Sequence, residues 1–145
     1  MIATAPMTNL DKVMYTAKVH TTGGRDGAAK SSDGSLEVKL ATPGTGKPGT
    51  NPEQLFAAGW SACFMSAILH RAAERKITLS ADRYIDAEVD LGTNEEGFML
   101  RARLNVHLPG LPRDVAQSLV DAAHENTCPY SKITRGNIDV SINLV

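Results

Sequence analysis

The two cysteines, Cys63 and Cys128, are the residues whose type most directly suggests chemistry. A thiolate is a nucleophile, but a free thiol has a pKa of about 8.5 and is only slightly ionised at neutral pH. Two thiols can share a redox cycle, because one attacks an oxidant and the other resolves the sulfenic acid before it over-oxidises. The competing interpretation is a pair of inert thiols, since free cysteine is among the most buried residue types.

The two cysteines differ in their predicted surroundings. Cys63 lies mid-way along an apolar helical segment, where burial raises a thiol pKa. Lowering that pKa by about two units takes about 2.7 kcal/mol, which a desolvated arginine beside the thiolate supplies. Cys128 precedes Pro129 at a predicted helix start, where backbone N–H groups favour a thiolate. These arguments leave open which cysteine attacks.

Arg25 and Glu53 are the charged residues that stand in unusual settings. Arg25 lies at the tip of the glycine-rich turn Gly23–Gly27, where an ordinary solvated arginine is the competing interpretation. Glu53 lies in the first turn of a predicted helix. The competing interpretation is an ordinary surface carboxylate, which the positive end of the helix dipole stabilises by about 0.3–1 kcal/mol. His124 stands four residues before Cys128, but no further histidine or cysteine clusters with them, so we predict no metal site.

The N-terminal third predicts a small antiparallel meander. The alternating pattern favours strands over Met14–His20, Ala28–Ser32 and Leu36–Leu40, with Gly23–Gly27 and Asp33-Gly34 as the turns. A loop over 41–51 leads to a helix that Asn51 caps and Pro52 begins, and that should run to about Lys76. Because this helix is apolar nearly all round from Leu55 to Leu69, we expect the sheet to cover one side and a second copy of the protein to cover the other.

The second half predicts a hairpin, two helices and a final strand. Placing residues 94–97 in the turn pairs Asp90 with Arg101 and Glu88 with Arg103, and the same register pairs the apolar residues of the other face. A helix follows Pro112, a further helix begins at Pro129, and the alternation of 138–144 favours a last strand. This order of elements indicates an α+β domain.

Length and charge limit the classes of protein to which the chain can belong. It has 145 residues, a formal net charge of −1 and 5% aromatic residues, which argues against nucleic acid or an anionic membrane surface as the partner. The longest apolar stretch is shorter than the roughly 20 residues of a spanning helix, and residues 1–12 lack a secretory signal pattern. We predict a flexible leader over 1–13, a single domain over 14–145 and a cytoplasmic location.

Several long motifs resemble the organic hydroperoxide resistance (Ohr) proteins of the wider OsmC-like family. The likeness runs in order from about Tyr15 to the end of the chain. The segments that carry it are Thr22-Gly23-Gly24-Arg25-Asp26-Gly27, Ser31-Ser32-Asp33-Gly34, residues 50–64 around Pro52-Glu53 and Ala62-Cys63, Cys128-Pro129-Tyr130-Ser131-Lys132, and residues 134–140. The closing segment resembles the Ohr branch more than the OsmC branch.

The resemblance implies an α+β fold with antiparallel sheets packed on a long central buried helix, assembled as an intertwined homodimer. It implies a peroxidase that reduces organic and fatty-acid hydroperoxides and protects against oxidative stress. By motif match, Cys63 corresponds to the peroxidatic cysteine and Cys128 to the resolving cysteine, while Arg25 and Glu53 correspond to the pair that activates the thiolate. No bound cofactor is implied, and the reductant is an external dithiol, a lipoylated protein or dihydrolipoamide.

Two features of the resemblance bear on the site. Trp60 stands where we expect Tyr in many relatives. Together with Phe56, Phe64 and Met65 it should form an apolar wall that favours apolar organic peroxides over hydrogen peroxide. Glu53 precedes Cys63 by ten residues, or about 15 Å along a straight helix. The two residues can share a site through the long Arg25 side chain, through a kink near Gly59 or through a second subunit, and the sequence does not choose among these.

Overall fold

A computed structural model describes residues 9–145 and divides into two compact units, Met1–Thr50 and Asn51–Val145. Of the predicted leader, residues 1–8 lie outside the described residues, while residues 9–13 are exposed and belong to no helix or strand. The boundary at Thr50 falls within residues 14–145, which the sequence predicts to form one domain. That single domain stays a prediction.

The first unit contains a three-stranded antiparallel meander, as the sequence predicts. Its strands, in spatial order, are β1 (Val19–Thr22), β2 (Ala28–Ser31) and β3 (Glu37–Lys39). The prediction that the first strand begins at Met14 is wrong, because β2 offers only four partners and Val19 already pairs with its last residue. The turn after β2 is closed by Asp33, whose carboxylate accepts hydrogen bonds from the hydroxyls of Ser31 at 2.6 Å and Ser35 at 2.7 Å.

The second unit begins with the long helix α1 (Pro52–Glu74). The side chain of Asn51 accepts a hydrogen bond from the backbone N–H of Gln54 at 2.8 Å, which confirms the predicted cap. The helix ends two residues before the predicted Lys76, which has a left-handed φ of 55°. One stripe of α1 is buried, and its members are Trp60, Phe64, Ala67, Ile68 and Ala72. The opposite face, which includes Ala58, Ala62 and Leu69, stays exposed within one chain, so its burial against a second copy remains a prediction.

The second sheet contains the predicted hairpin in its predicted register. Its strands, in spatial order, are β4 (Tyr84–Asn94), β5 (Gly97–His107) and β6 (Asp139–Leu144). Asp90 pairs with Arg101, and the apolar positions pair on the other face. The expectation of purely antiparallel sheets is wrong here, because β6 runs parallel to β5. The helices between these strands form a crossover, which returns the chain in the same direction.

The crossover has three helical segments, and Cys128 lies between the second and the third. Helix α2 (Arg113–Ala122) is followed by one turn of π-helix, Ala123–Thr127, and then by helix α3 (Pro129–Thr134). Ala116, Leu119 and Val120 of α2 are buried in the same core as the apolar stripe of α1. The core of this unit is therefore formed by α1, α2 and the second sheet, and Cys128 lies inside it. Within residues 9–145, no helix is long and apolar enough to cross a membrane.

Candidate active site

The two cysteines come together in the second unit. The Sγ atoms of Cys63, in the middle of α1, and Cys128, the residue that caps α3, are 3.8 Å apart, and both thiols are reduced. Cys128 is fully buried, whereas Cys63 is partly exposed. A disulfide has an S–S length of about 2.05 Å, so the two sulfur atoms need to close by only about 1.8 Å. The pair is therefore arranged to form a disulfide with a small movement.

The pKa of the Cys63 thiol is raised above its ordinary value. Burial is the main cause, followed by the charge and hydrogen bonding of the neighbouring Cys128, which favour the protonated form of Cys63. The backbone N–H of Tyr130, in the first turn of α3, acts in the opposite direction and lowers this pKa. Because the first two causes outweigh the third, these surroundings favour the neutral thiol, and a positive charge nearby would favour the thiolate.

Aromatic rings from α1 and α3 pack together in the core cluster that also contains the two cysteines. The Phe56 ring centroid lies 5.5 Å from that of Trp60 and 6.1 Å from that of Tyr130, against which it is stacked. The indole N–H of Trp60 donates to the buried hydroxyl of Ser131 at 3.4 Å. Sequence reasoning did not name Tyr130 and Ser131 as site residues, although their place in the turn directly after Cys128 is a signal that could have found them.

The four predicted pocket residues fall into two groups. Trp60 and Phe64 are completely buried in the core, while Phe56 and Met65 are only partly buried. An open cavity of about 360 Å³ lies along α1, with Met65 in its wall; the other lining residues are Ser61, Ala62, Ala81, Arg83, Tyr84 and Ile85. Binding of a peroxide by these four residues remains a prediction.

His124 occupies the π-helical turn before Cys128 and packs against Phe64, with ring centroids 6.4 Å apart. Its Nδ1 atom is buried without a hydrogen-bond partner. Burial lowers the pKa of this imidazole, and the nearby Arg135 guanidinium acts in the same direction. No cluster of three or more potential metal ligands occurs between residues 9 and 145.

Comparisons with known proteins show the family to which this chain belongs. The model of the OsmC-like protein family matches residues 44–143. The chain belongs to the OsmC-like family. The organic hydroperoxide resistance protein of Xanthomonas axonopodis pv. citri is 48% identical over 95% of this chain and 99% of its own length. The organic hydroperoxide resistance protein OhrB of Bacillus subtilis is 46% identical over 90% of this chain and 98% of its own length.

Solved structures of OsmC-like proteins show the same fold. The crystal structure of OhrB from Bacillus subtilis has a TM-score of 0.85 and covers 92% of this chain and 100% of its own. A Vibrio cholerae structure, described as a putative organic hydroperoxide resistance protein with captopril bound in one of its active sites, is 39% identical with a TM-score of 0.84 and covers 94% of this chain and 95% of its own. The resemblance to Ohr proteins noted in the sequence is therefore confirmed, and the α+β fold matches theirs.

In this OsmC-like chain the two predicted activating residues lie in different units. Arg25 occupies a short 3₁₀ turn in the first unit, and Glu53 lies in the first turn of α1 in the second. The Arg25 turn is tightly built, because a Cβ on Gly27 would lie only 1.7 Å from the carbonyl oxygen of Thr22. Their roles beside Cys63 remain predictions.

Asp26, the residue after Arg25, holds this turn against the loop that follows β3. Its carboxylate accepts hydrogen bonds from the backbone N–H of Thr42 at 3.2 Å and from the Thr42 hydroxyl at 3.1 Å. These bonds lower the pKa of Asp26 below its ordinary value. The backbone around Arg25 is thus held by two features, the close approach of Gly27 to Thr22 and the hydrogen bonds of the Asp26 carboxylate.

Proposed function

We propose that this chain is a thiol-dependent peroxidase that reduces organic hydroperoxides, including those of fatty acids, to alcohols. The 3.8 Å separation of the Cys63 and Cys128 sulfur atoms is the observation that carries the proposal. The apolar and aromatic surroundings of the pair support a preference for organic peroxides. The names of the similar proteins, which refer to organic hydroperoxide resistance, point the same way.

The proposed cycle assigns the first attack to Cys63. This assignment is supported by exposure, because Cys63 is partly accessible whereas Cys128 is fully buried. The Cys63 thiolate attacks one peroxide oxygen, the O–O bond breaks, and the departing alkoxide takes a proton to become the alcohol. Cys63 is then a sulfenic acid. Cys128 attacks its sulfur, the S–S bond forms, the S–O bond breaks and water leaves, so that the peroxide is reduced by two electrons taken from the two thiols.

We propose that Arg25 supplies the positive charge that the raised pKa of Cys63 calls for, and that Glu53 orients Arg25. A guanidinium keeps its charge at every relevant pH and stabilises a thiolate most strongly where water is excluded. The tightly held turn around Arg25 supports this role, since a fixed backbone limits where the side chain can reach. How Glu53 reaches the site, through Arg25, a bend in α1 or a second subunit, is part of the same proposal.

Regeneration requires an external dithiol, and we propose a lipoylated protein or dihydrolipoamide. Thiol–disulfide exchange occurs at the accessible sulfur, because the attacking thiolate must approach along the S–S axis. The partial exposure of Cys63 supports attack there, with Cys128 leaving as the thiolate. The second thiol of the reductant then displaces Cys63, so that a dithiol completes the exchange without a further partner.

We also propose that the functional unit is a homodimer. The face of α1 that includes Ala58, Ala62 and Leu69 is apolar and exposed in one chain. Covering such a face removes apolar surface from water at about 25 cal/mol per Å². Burial against a second copy would also place more of the surroundings of Cys63 in an apolar medium. Sedimentation equilibrium of the purified protein tests this proposal, and a monomer at micromolar concentration contradicts it.

Peroxide consumption tests the proposed function directly. We expect rapid turnover of tert-butyl hydroperoxide and a fatty-acid hydroperoxide, slower turnover of hydrogen peroxide, and support by dihydrolipoamide but not by thioredoxin. Cys63→Ser should abolish turnover, and Cys128→Ser should stop it after the first reaction. A faster reaction with hydrogen peroxide indicates instead an OsmC-type peroxidase with a different preference. If both thiols react slowly at pH 6 and peroxide does not join them, the chain is a binder of apolar ligands with inert cysteines.

Arg25→Ala tests the activation step. The pH dependence of Cys63 alkylation, measured in a Cys128→Ser background, should show a higher apparent pKa for this variant, while Arg25→Lys should restore part of the difference. Lys39→Ala, which removes an exposed cation from β3 of the same unit, is the matched control. An Arg25→Ala protein that is alkylated at the unmodified rate shows that Arg25 is only a turn residue.

A further inference from the structure

The π-helical turn that precedes Cys128 is an irregular support for a reactive residue. The backbone N–H of Cys128 donates to the carbonyl of Ala123, five residues earlier, at 2.8 Å. Such turns are rare, occur mostly as single turns within helices and are frequent at functional sites. Because the regular α-helical bonding is interrupted here, the position of Cys128 depends on other contacts that hold Ala123–Thr127 in place.

Arg71 of α1 supplies one of these contacts. Its Nε donates to the hydroxyl of Thr127, the residue directly before Cys128, at 2.6 Å, and its guanidinium also binds the carboxylate of Glu74 at 2.9 Å. The Thr127 hydroxyl in turn donates to the carbonyl of Ala122 at 3.4 Å, the last residue of α2. The Arg71 side chain is only 27% exposed, so water competes weakly for the Thr127 hydroxyl.

The contact links both cysteines to one rigid element. Cys63 and Arg71 lie on the same helix, eight residues or about 12 Å apart along its axis. Arg71 binds the side-chain hydroxyl of the residue before Cys128, so α1 carries Cys63 at one point and contacts the Cys128 segment at another. Both cysteines are therefore tied to this helix. The next arginine, Arg75, lies directly after the last residue of α1 and has no part in the arrangement, because it binds Ser118 of α2 instead.

We propose that Arg71 is a positioning residue for the resolving cysteine, acting through the hydroxyl of Thr127. The inference rests on the proposed peroxidase function, in which Arg71 and Thr127 have no assigned role. It concerns the second step alone: the Cys63 sulfenic acid and the Cys128 thiol form a disulfide and release water. This step competes with a second peroxide, which oxidises the same sulfenic acid to a sulfinic acid and is itself reduced to alcohol.

The ratio of these two outcomes reports the position of Cys128. Loss of the Arg71–Thr127 contact lets the π-helical turn move, so the disulfide forms more slowly while the reaction of Cys63 with the first peroxide is unchanged. A hydrogen bond from a charged donor is among the stronger ones, and we expect disulfide formation to slow by about tenfold. The peroxide concentration that converts half of Cys63 to sulfinic acid should fall by about the same factor.

The experiment uses full-length Arg71→Met and Thr127→Val, each of which removes one partner while keeping much of the side-chain volume. Rapid mixing with tert-butyl hydroperoxide gives the rate of the first step, and intact-protein mass spectrometry gives the disulfide and sulfinic fractions across a peroxide titration. Both variants should keep the first rate within twofold and over-oxidise at about tenfold lower peroxide. The double variant should resemble each single variant, because both remove the same contact, and Arg71→Lys should recover part of the effect.

Arg75→Met is the matched control, since it removes an arginine from the same end of α1 together with its bond to Ser118. Its over-oxidation should match that of the unmodified protein. The proposal is overturned if Arg71→Met and Thr127→Val over-oxidise like the unmodified protein, or if Arg75→Met shifts equally, which would indicate a general effect of loosening the helix end. Failure of the proposed function looks different: the unmodified protein itself then forms no disulfide with peroxide, and the role of Arg71 falls with it.

Discussion

The Cys63–Cys128 pair should change the stability of the protein as well as its reactivity. The two residues are 65 positions apart in the chain, so a disulfide between them closes a large loop in the unfolded state. On the chain-entropy model a loop of this size corresponds to about 4 kcal/mol at 25 °C. The sulfur atoms must close by about 1.8 Å to form the bond, and any strain that this introduces lowers the gain. We therefore expect the oxidised form to be more stable than the reduced form by about 2–4 kcal/mol.

Urea denaturation of the two forms measures this difference. With a slope of about 2 kcal/mol per M, the midpoint should rise by about 1–2 M on oxidation with one equivalent of peroxide. Protein concentration is held constant, because association also raises apparent stability. Cys128→Ser treated in the same way is the control and should show no such rise. If the oxidised protein is no more stable than the reduced one, or if non-reducing gels show the bond between chains, the geometric argument for an intrachain disulfide is refuted.

Three further predictions concern elements that position the site. Asn51→Ala removes the cap of α1 and should lower the free energy of unfolding by about 1 kcal/mol; a change below about 0.3 kcal/mol in urea would show that the cap is dispensable. Gly59→Ala places a Cβ 2.9 Å from the Tyr130 hydroxyl, so crowding should outweigh the helix-propensity gain and cost about 1 kcal/mol; a more stable variant would mean that Tyr130 moves aside freely. Asp90 has a pKa lowered chiefly by its hydrogen bond from Arg103, so its contribution to stability is present above pH of about 4 and is lost as the pH falls. Thermal melting of Asp90→Asn should thus differ from that of the unmodified protein at pH 7 and converge with it in acid, and a constant difference across pH would contradict this.

The hairpin register was predictable from residue types alone. Asp90 pairs with Arg101 and Glu88 with Arg103, as charge alternation requires, and Arg103 also donates to Asp90 at 2.7 Å. A sheet with one apolar face has period two, so shifting the register by one residue would turn every apolar side chain towards water. The start of α1 was predictable for a similar local reason, since Asn51 and Pro52 act within one turn of the backbone.

Features that depend on a distant partner were not predictable in the same way. The extent of β1 is set by the four residues of β2, and the parallel direction of β6 is set by the crossover through α2 and α3. The π-helical turn before Cys128 has no signature in the local pattern, which predicts only a helix after Pro112 and another from Pro129. The contact of Arg71 with Thr127 joins residues 56 positions apart, and no periodicity relates them.

The sequence by itself determined which residues are chemically able to act: two thiols, the glycine-built turn around Arg25, the capped apolar helix and the segment that begins at Cys128-Pro129. These follow from side-chain chemistry and from backbone preferences that act over a few residues. Only the tertiary structure decided that Cys63 and Cys128 lie 3.8 Å apart, that one is buried and the other partly exposed, and that the surroundings raise the pKa of Cys63. Distances and desolvation depend on the packing of segments that are remote in the chain, and local patterns carry no information about that packing.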